Sequence, residues 1–311
     1  MTAPTASSDR SSDPVGWGDS PTARRSDWIT FLSDYGLDDH LVGVCKGVIA
    51  RIAPHVRIID VCHQVKPQDV GIGATMLAEA VAYLPVGVHL ALVDPFKATN
   101  ARGVAVRCAD GSIFVSPDNG VASRGWEVVG GAQEAYEIGN RELWAPNPAR
   151  SFRGRDIFAP VAAHLARGVP LDEVGPAVPV GSLVQAETTV PSVHGDHVHG
   201  AIRMIDHFGN LALNVRRSDL EAAGIQLGDL IELRCGGRTL EVPFTLAFGE
   251  VPPGRTVVCE DSFRAITVAV NGGRADRVLK AGSGDPVVLG RLHRLLGVAA
   301  TKVSVVDGRP S

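Results

Sequence analysis

The 311-residue chain contains no apolar run approaching the roughly 20 residues of a membrane-spanning helix. At a net charge of −4 it also lacks the basic excess of a nucleic-acid binder. The first absence excludes a helical membrane protein, and the second excludes nucleic acid as the expected partner. C-x-x-C pairs are missing: Cys45, Cys62, Cys108, Cys235 and Cys259 are scattered, each within an apolar segment. They read as buried thiols in a reducing cytoplasm. Phosphate-gripping loops are missing too. Gly71-Ile72-Gly73 and Gly282-Ser283-Gly284 lack a third glycine and a strand-to-helix context, and no G-K-[ST] occurs. No G-x-S-x-G elbow presents a serine nucleophile. These absences leave a soluble protein that meets a small molecule through contacts other than phosphate.

A 45% hydrophobic content and a slightly positive mean hydropathy mark most of the chain as globular. Met1 to about Arg25 is rich in Ser, Thr, Pro, Asp and Arg without apolar periodicity, and is expected to be a disordered tail with no signal-peptide core. From 26 to 185, apolar runs (Ile29–Leu32, Val56–Val61, Val88–Val93, Gly103–Val106, Ile113–Val115) alternate with helical patterns such as Val70–Tyr83 and Ile157–Ala166. This predicts an α/β domain with a mostly parallel central sheet. After the Pro- and Val-rich stretch 176–191 the texture changes to short strands and tight turns, so 186–311 is expected to form an antiparallel β-barrel-like domain. His194, Asp196, His197 and His199 are the only metal-like cluster. Zinc wants three or four protein ligands, and no Cys or further His cluster completes a set, so the segment reads as a polar edge strand and no metal is expected.

The first strand ends Ser33-Asp34-Tyr35-Gly36-Leu37-Asp38-Asp39, and helical spacing begins at His40 with Val44, Val48, Ile49 and Ile52. Asp34 therefore stands where strand gives way to helix, at the edge where α/β sheets bind ligands. A carboxylate there suits paired ribose hydroxyls, because it accepts two hydrogen bonds at once. The alternative is that Asp34 or Asp38 caps the helix.

Five ordered segments carry more than any one alone: Ser33-Asp34-Tyr35-Gly36 with Asp38-Asp39 and Lys46-Gly47; Val61-Cys62-His63 with Pro67-Gln68-Asp69-Val70; Leu92-Val93-Asp94-Pro95; Ser151 through Pro160, reading S-F-R-G-R-D-I-F-A-P; and Ile205-Asp206-His207-Phe208-Gly209-Asn210 with Asn214. In these residues the chain resembles the S-adenosylmethionine hydroxide adenosyltransferases and their halogenating relatives, over roughly Trp28 to Leu289. The resemblance implies an α/β domain followed by a β-barrel domain, and a homotrimer with sites at subunit interfaces. It implies S-adenosylmethionine as substrate and no cofactor. Asp34 would hold the ribose. Asn210 would meet the adenine edge, helped by backbone at Asn271 and Gly272, with Phe208 and Phe248 as apolar walls. Asp206 and Ser262 would grip the methionine end. Without the shared order, Phe208 and Phe248 would read as core residues and Asn271-Gly272 as a plain turn.

The reaction the resemblance implies is an in-line displacement at ribose C5′, with methionine leaving as a neutral thioether. In the halogenating branch a Tyr fills the position of Asp94, and Ser and Trp stand at Gly154 and Gln68; the insertion typical of that branch after Val106–Arg107 is also absent. The hydrolytic branch has Asp, which this chain shares. That branch also has an Arg seven residues later and a His before the G-R-D of its fourth segment, where this chain has Ala101 and Arg153. Its glycine-rich loop after the Asp reads Pro95-Phe96-Lys97-Ala98-Thr99 here. The expected catalytic set is Asp94 and Arg153, with Arg102 as a further cation whose other reading is an exposed strand-end charge. The product would be adenosine and L-methionine. Chloride as nucleophile, or ligand binding without turnover, are the alternatives.

Overall fold

The computed structural model describes residues 25–94, 102–149, 151–187 and 189–292. Most of the expected tail, the Pro95–Thr99 stretch and Ala101 lie outside these residues. The chain divides into two compact units, Met1–Glu187 and Thr188–Ser311.

The first unit runs β1 (Trp28–Ser33), α1 (Leu41–Ile52), β2 (Arg57–Cys62), α2 (Val70–Val81), β3 (Val88–Leu92), β4 (Gly103–Cys108), β5 (Ile113–Pro117), α3 (Ser123–Val128), β6 (Ala132–Glu137), α4 (Ala159–Ala166) and β7 (Ala177–Val178). Its strands form one sheet in the order β2-β1-β3-β5-β4-β6-β7. The first four are mutually parallel and the last three join antiparallel. Strand alternation sends Ile29, Phe31, Val88, Leu90 and Leu92 into the core beneath α1 and α4, while Leu32, Ala91 and Val93 pack with Leu77 of α2 and Trp126 of α3 on the other face. Both faces of the central strands are covered, which is why β1 and β3 are largely apolar, broken inside by the buried pair Thr30 and His89. Asp69 starts α2 by accepting from the Ile72 amide at 3.0 Å, an N-cap of the favoured type.

From β1 the chain leaves through α1 to β2 on one side, then returns through α2 to β3 on the other. The carboxyl ends of β1 and β3 thus flank a topological switch point, where open α/β sheets leave a crevice for ligands. Asp34 follows β1 directly, and Asp94 lies two residues beyond β3.

The second unit contains β8 (Ser192–His194), β9 (His197–Ile205), β10 (Leu211–Arg216), α5 (Arg217–Ala222), β11 (Leu230–Cys235), β12 (Arg238–Thr245), β13 (Thr256–Glu260), β14 (Ala265–Val270), α6 (Ala275–Leu279) and β15 (Pro286–Arg291). The order β10-β14-β13-β12-β11-β15-β9 closes through β9–β10 into a seven-stranded barrel filled by Val198, Ile202, Leu213, Ile231, Leu233 and Val268 among others. Closure leaves no free edge in the barrel proper. One pairing departs from the antiparallel expectation: β12 and β13 are parallel, through Phe244 with Val258 and Thr245 with Cys259. The connection between them runs back along the barrel, which makes the barrel mixed. β8 adds to β9 as the polar edge strand expected around His194.

Candidate active site

At the end of β1 the Asp34 amide donates to the Leu92 carbonyl at 3.3 Å, tying the turn to β3. The Asp34 carboxylate accepts from the Gln68 amide at 2.9 Å. Gln68 holds a left-handed backbone, φ +67°, a conformation that costs a non-glycine residue about 1–2 kcal/mol and that collects at functional sites. The carboxylate serving the start of α1 is Asp39, whose Oδ1 accepts from the Leu41 amide at 2.8 Å. Asp34 is thereby left facing the crevice instead of capping the helix. Burial raises its pKa, against the lowering effect of the Gln68 amide and its own N–H.

A polar chain braces this turn from below. His63 lies 3.1 Å from Asp60 through Nε2 and 2.8 Å from the Ser33 hydroxyl through Nδ1. With Nε2–H donating to Asp60, Nδ1 accepts from Ser33. The His63 carbonyl accepts from the Gly36 amide at 2.7 Å.

Asp94 is fixed through its neighbour, since the Asn119 amide group donates to the Val93 carbonyl at 2.8 Å. Its Oδ1 is buried and has no hydrogen-bond partner among the described residues. Leaving such an oxygen unpaired costs about 1–3 kcal/mol or more. Burial raises the Asp94 pKa; the Arg153 charge lowers it and the Asp34 charge raises it. Asp94 therefore lies within electrostatic reach of both Arg153 and Asp34.

Arg153 opens a π-helical turn, Gly154–Phe158, that leads into α4. Such turns are rare and favour functional sites. The Arg153 guanidinium sits 5.1 Å above the Phe158 ring, a cation–π contact that steadies it. Its neighbour Arg155 is engaged elsewhere, forming two bonds of 2.6 and 2.7 Å to Asp156, whose carboxylate also accepts from the Ala149 amide. That pairing pulls the Asp156 pKa down and anchors the turn.

Tyr35 was not among the residues expected to act. Its ring packs edge-on against Phe31 and Phe152, with centroids at 6.4 and 5.7 Å, and its phenol oxygen lies against the Cα of Gly154. The only signal in the sequence is its place beside Asp34.

Arg102 occupies a different setting. Its Nε donates to Asp118 at 2.7 Å and its NH2 donates to the Ser182 carbonyl at 3.1 Å, and the Asp118 side chain is only 4% exposed. The guanidinium is engaged by this ion pair and is not a free strand-end charge.

In the barrel, Asp206 and Asn210 close the β9–β10 turn on each other. Asp206 accepts from the Asn210 backbone amide at 2.9 Å and from its side-chain amide at 2.7 Å. Phe208, in the same turn, is 72% exposed, and Phe248 is 39% exposed, so neither is a core residue. Asn271 and Gly272 follow β14 at the same barrel end, where the Arg274 guanidinium donates to the His207 carbonyl at 2.9 Å. The Asn271 side chain donates to the Val251 carbonyl at 2.6 Å, and its backbone is paired as well, the amide to the Arg255 carbonyl at 3.1 Å and the carbonyl to the Gly254 amide at 2.7 Å. Ser262 lies in the β13–β14 turn, at the other end of β14. The structure thus gathers Asp206, Phe208, Asn210, Asn271 and Gly272 and sets Ser262 a strand's length away.

The His194 and His199 rings meet edge to face at 5.3 Å, and His197 pairs with Asp196 at 2.6 Å. No group of three or more side chains suited to a metal ion is gathered among the described residues. No helix among them is long and apolar enough to cross a membrane.

Residues 29–175 match the SAM hydroxide adenosyltransferase N-terminal domain, and residues 200–288 match the C-terminal domain of that family. A protein from Salinispora tropica named (R)-S-adenosyl-L-methionine hydrolase is 43% identical over 83% of this chain and 95% of its own length. A fluorinase from Nocardia brasiliensis is 32% identical over 71% of this chain and 82% of its own. The crystal structure of an uncharacterized conserved protein from Thermotoga maritima superposes with a TM-score of 0.79 at 36% identity, covering 85% of this chain and all of that one. Matched across both of its domains, the chain belongs to the SAM hydroxide adenosyltransferase family.

Proposed function

We infer that the protein is an S-adenosylmethionine hydrolase, delivering water to ribose C5′ and releasing adenosine and L-methionine. The observation that carries this is Asp94 Oδ1, buried and without a hydrogen-bond partner among the described residues, within electrostatic reach of Arg153 at the switch point that also presents Asp34. Asp34 accepts hydrogen bonds from the ribose hydroxyls and fixes the position of C5′. Asp94 accepts a hydrogen from water and takes the proton as the new C–O bond forms. Arg153 cannot act as a base at neutral pH; it holds the water by charge and hydrogen bonding and stabilises developing hydroxide. The C5′–S bond breaks with its electron pair going to sulfur, which discharges the sulfonium. The leaving group is thus neutral, and the chemistry needs no cofactor.

The barrel supplies the remaining contacts: Asn210 and backbone at Gly272 for adenine, Phe208 and Phe248 as its walls, and Asp206 for the amino-acid end. Their exposure supports a site completed on assembly, a homotrimer with each α/β unit facing a neighbour's barrel. Five scattered thiols support a cytoplasmic setting. Arg102 acts by holding Asp118 and the end of β5. Chloride is disfavoured as nucleophile because the Asp94 carboxylate would repel it.

The test is mass spectrometry of S-adenosylmethionine incubated with the protein in ¹⁸O-labelled water, with and without chloride. One label in the adenosine 5′-hydroxyl, independent of chloride, is the expected result. Absence of adenosine, or a chlorinated nucleoside, overturns the reading.

A further inference from the structure

The sequence and family reading leave Tyr35 without a task, yet the fold places it with care. A Cβ built on Gly154 would run into the Tyr35 phenol oxygen and would stand 3.0 and 3.2 Å from ring atoms Cζ and Cε2. Residue 154 has no room for a side chain because the Tyr35 hydroxyl occupies that space. The ring is clamped edge-on by Phe31 and Phe152, so the hydroxyl has little freedom to leave. It therefore sits at the first residue of the π-helical turn, next to Arg153, and within electrostatic reach of Asp34 and Asp94.

A water poised for in-line attack has four hydrogen-bonding positions to fill. One lone pair must face C5′. Asp94 takes one hydrogen, Arg153 donates to the second lone pair, and the other hydrogen needs an acceptor. Asp34 is engaged by the Gln68 amide and the ribose.

We propose that the Tyr35 hydroxyl is that acceptor, a further catalytic residue that completes the shell of the attacking water and selects water as the nucleophile. This rests on the hydrolase reading above. As the C5′–O bond forms, the C5′–S pair goes to sulfur and the proton passes to Asp94. Tyr35 exchanges no proton and only fixes direction. Burial keeps its phenol protonated, so it serves as a neutral partner and not as a base.

The test uses Tyr35→Phe, Gly154→Ala and the double variant of the full-length protein. Tyr35→Phe keeps the ring contacts and removes only the oxygen. The expected result is a fall in kcat on the order of tenfold or more, with adenosine Kd and Tm unchanged. Gly154→Ala should lower kcat by displacing the hydroxyl, but cost little further in the Tyr35→Phe background. Wild-type kcat in Tyr35→Phe overturns the proposal. So do losses that simply multiply in the double variant, or a loss of adenosine affinity that accompanies kcat and marks a structural role. Wild-type protein that releases no adenosine strikes the hydrolase reading itself, so the two failures are told apart by the wild-type control.

Discussion

The two units offer different kinds of surface to a ligand. In the α/β unit the chemistry-bearing groups stand at the ends of buried parallel strands, and their geometry is set by other residues: Gln68 holds Asp34, Asn119 holds Val93 beside Asp94, and the Asp156–Arg155 pair anchors the turn bearing Arg153. In the barrel the counterparts lie on turns, with Phe208 72% exposed and Asp206 and Asn210 bonded to one another. The difference follows from packing. A sheet covered on both faces leaves polar groups only at its strand ends, whereas a closed barrel uses its interior for its own core and must display ligand contacts on its rim. Rigid placement of reacting groups is worth many kcal/mol to catalysis, so on the proposed function the bond-making residues and the ribose carboxylate fall in the first unit and the remaining contacts in the second.

The largest effect that would break this division is in turnover. Asp94→Asn and Arg153→Ala should each lower kcat by about 10²–10⁴-fold while leaving adenosine affinity largely intact. Quench-flow or endpoint chromatography beside calorimetric binding checks both halves. A barrel substitution such as Asn210→Ala that lowered kcat equally, at unchanged affinity, would erase the distinction.

Stability against acid should also separate the units. His89 is buried in the first unit, within 2.8 Å of the Thr30 hydroxyl, and burial lowers its pKa to about 4. Its folded pKa lies below the ordinary 6.5, so the unfolded chain takes up the proton first. The stability held above pH 6.5 is then lost as pH falls toward 4, by up to about 3 kcal/mol. The barrel histidines are exposed or half-buried and offer no such burial. Trp28, Trp126 and Trp144 lie in the first unit and no tryptophan follows residue 144, so urea unfolding followed by tryptophan fluorescence reports on that unit. The fall should be marked in wild type and much reduced in His89→Gln. Equal pH slopes in the two proteins would remove His89 as the cause.

Next in size is Asp34→Ala. It deletes a charge-assisted acceptor for the ribose, worth about 1.5–3 kcal/mol or roughly 10- to 100-fold in adenosine affinity. Unchanged affinity by calorimetry would mean that Asp34 serves the turn and not the ligand.

How much of this was legible beforehand divides along the same line. The parallel sheet was readable because strands buried on both faces leave continuous apolar runs, and Asp34 because it breaks such a run where helical spacing begins. The β12–β13 parallel pair was not, since a hairpin and a strand reached by a returning loop leave the same local pattern. β6, reading A-Q-E-A-Y-E, escaped because its residues are half polar. The engagement of Arg102 by Asp118 could not be read from spacing, because the partner is sixteen residues away across a strand pair. Tyr35 was hidden for a different reason: its role depends on the absence of a side chain at Gly154, a residue 119 positions distant.

The smallest effect tests the recognition surface. Phe208 is largely exposed in a turn, its ring edge-on to His207 with centroids at 5.6 Å. Removing its side chain should therefore leave the barrel's stability within about 0.5 kcal/mol, the range of a surface substitution. As a wall for adenine it would contribute face or edge contact worth about 1 kcal/mol, so Phe208→Ala should weaken adenosine binding about fivefold and leave ribose-only contacts untouched. A thermodynamic cycle with Asp34→Ala sharpens the point. On the proposed function ribose and base are separate parts of one ligand, met by Asp34 and Phe208 respectively, so the two losses should add within about 0.5 kcal/mol. Strong coupling between them, or a Phe208→Ala protein that binds adenosine as tightly as wild type, would show that the exposed ring serves assembly instead of the base and would move adenine recognition to Phe248 and the Gly272 backbone.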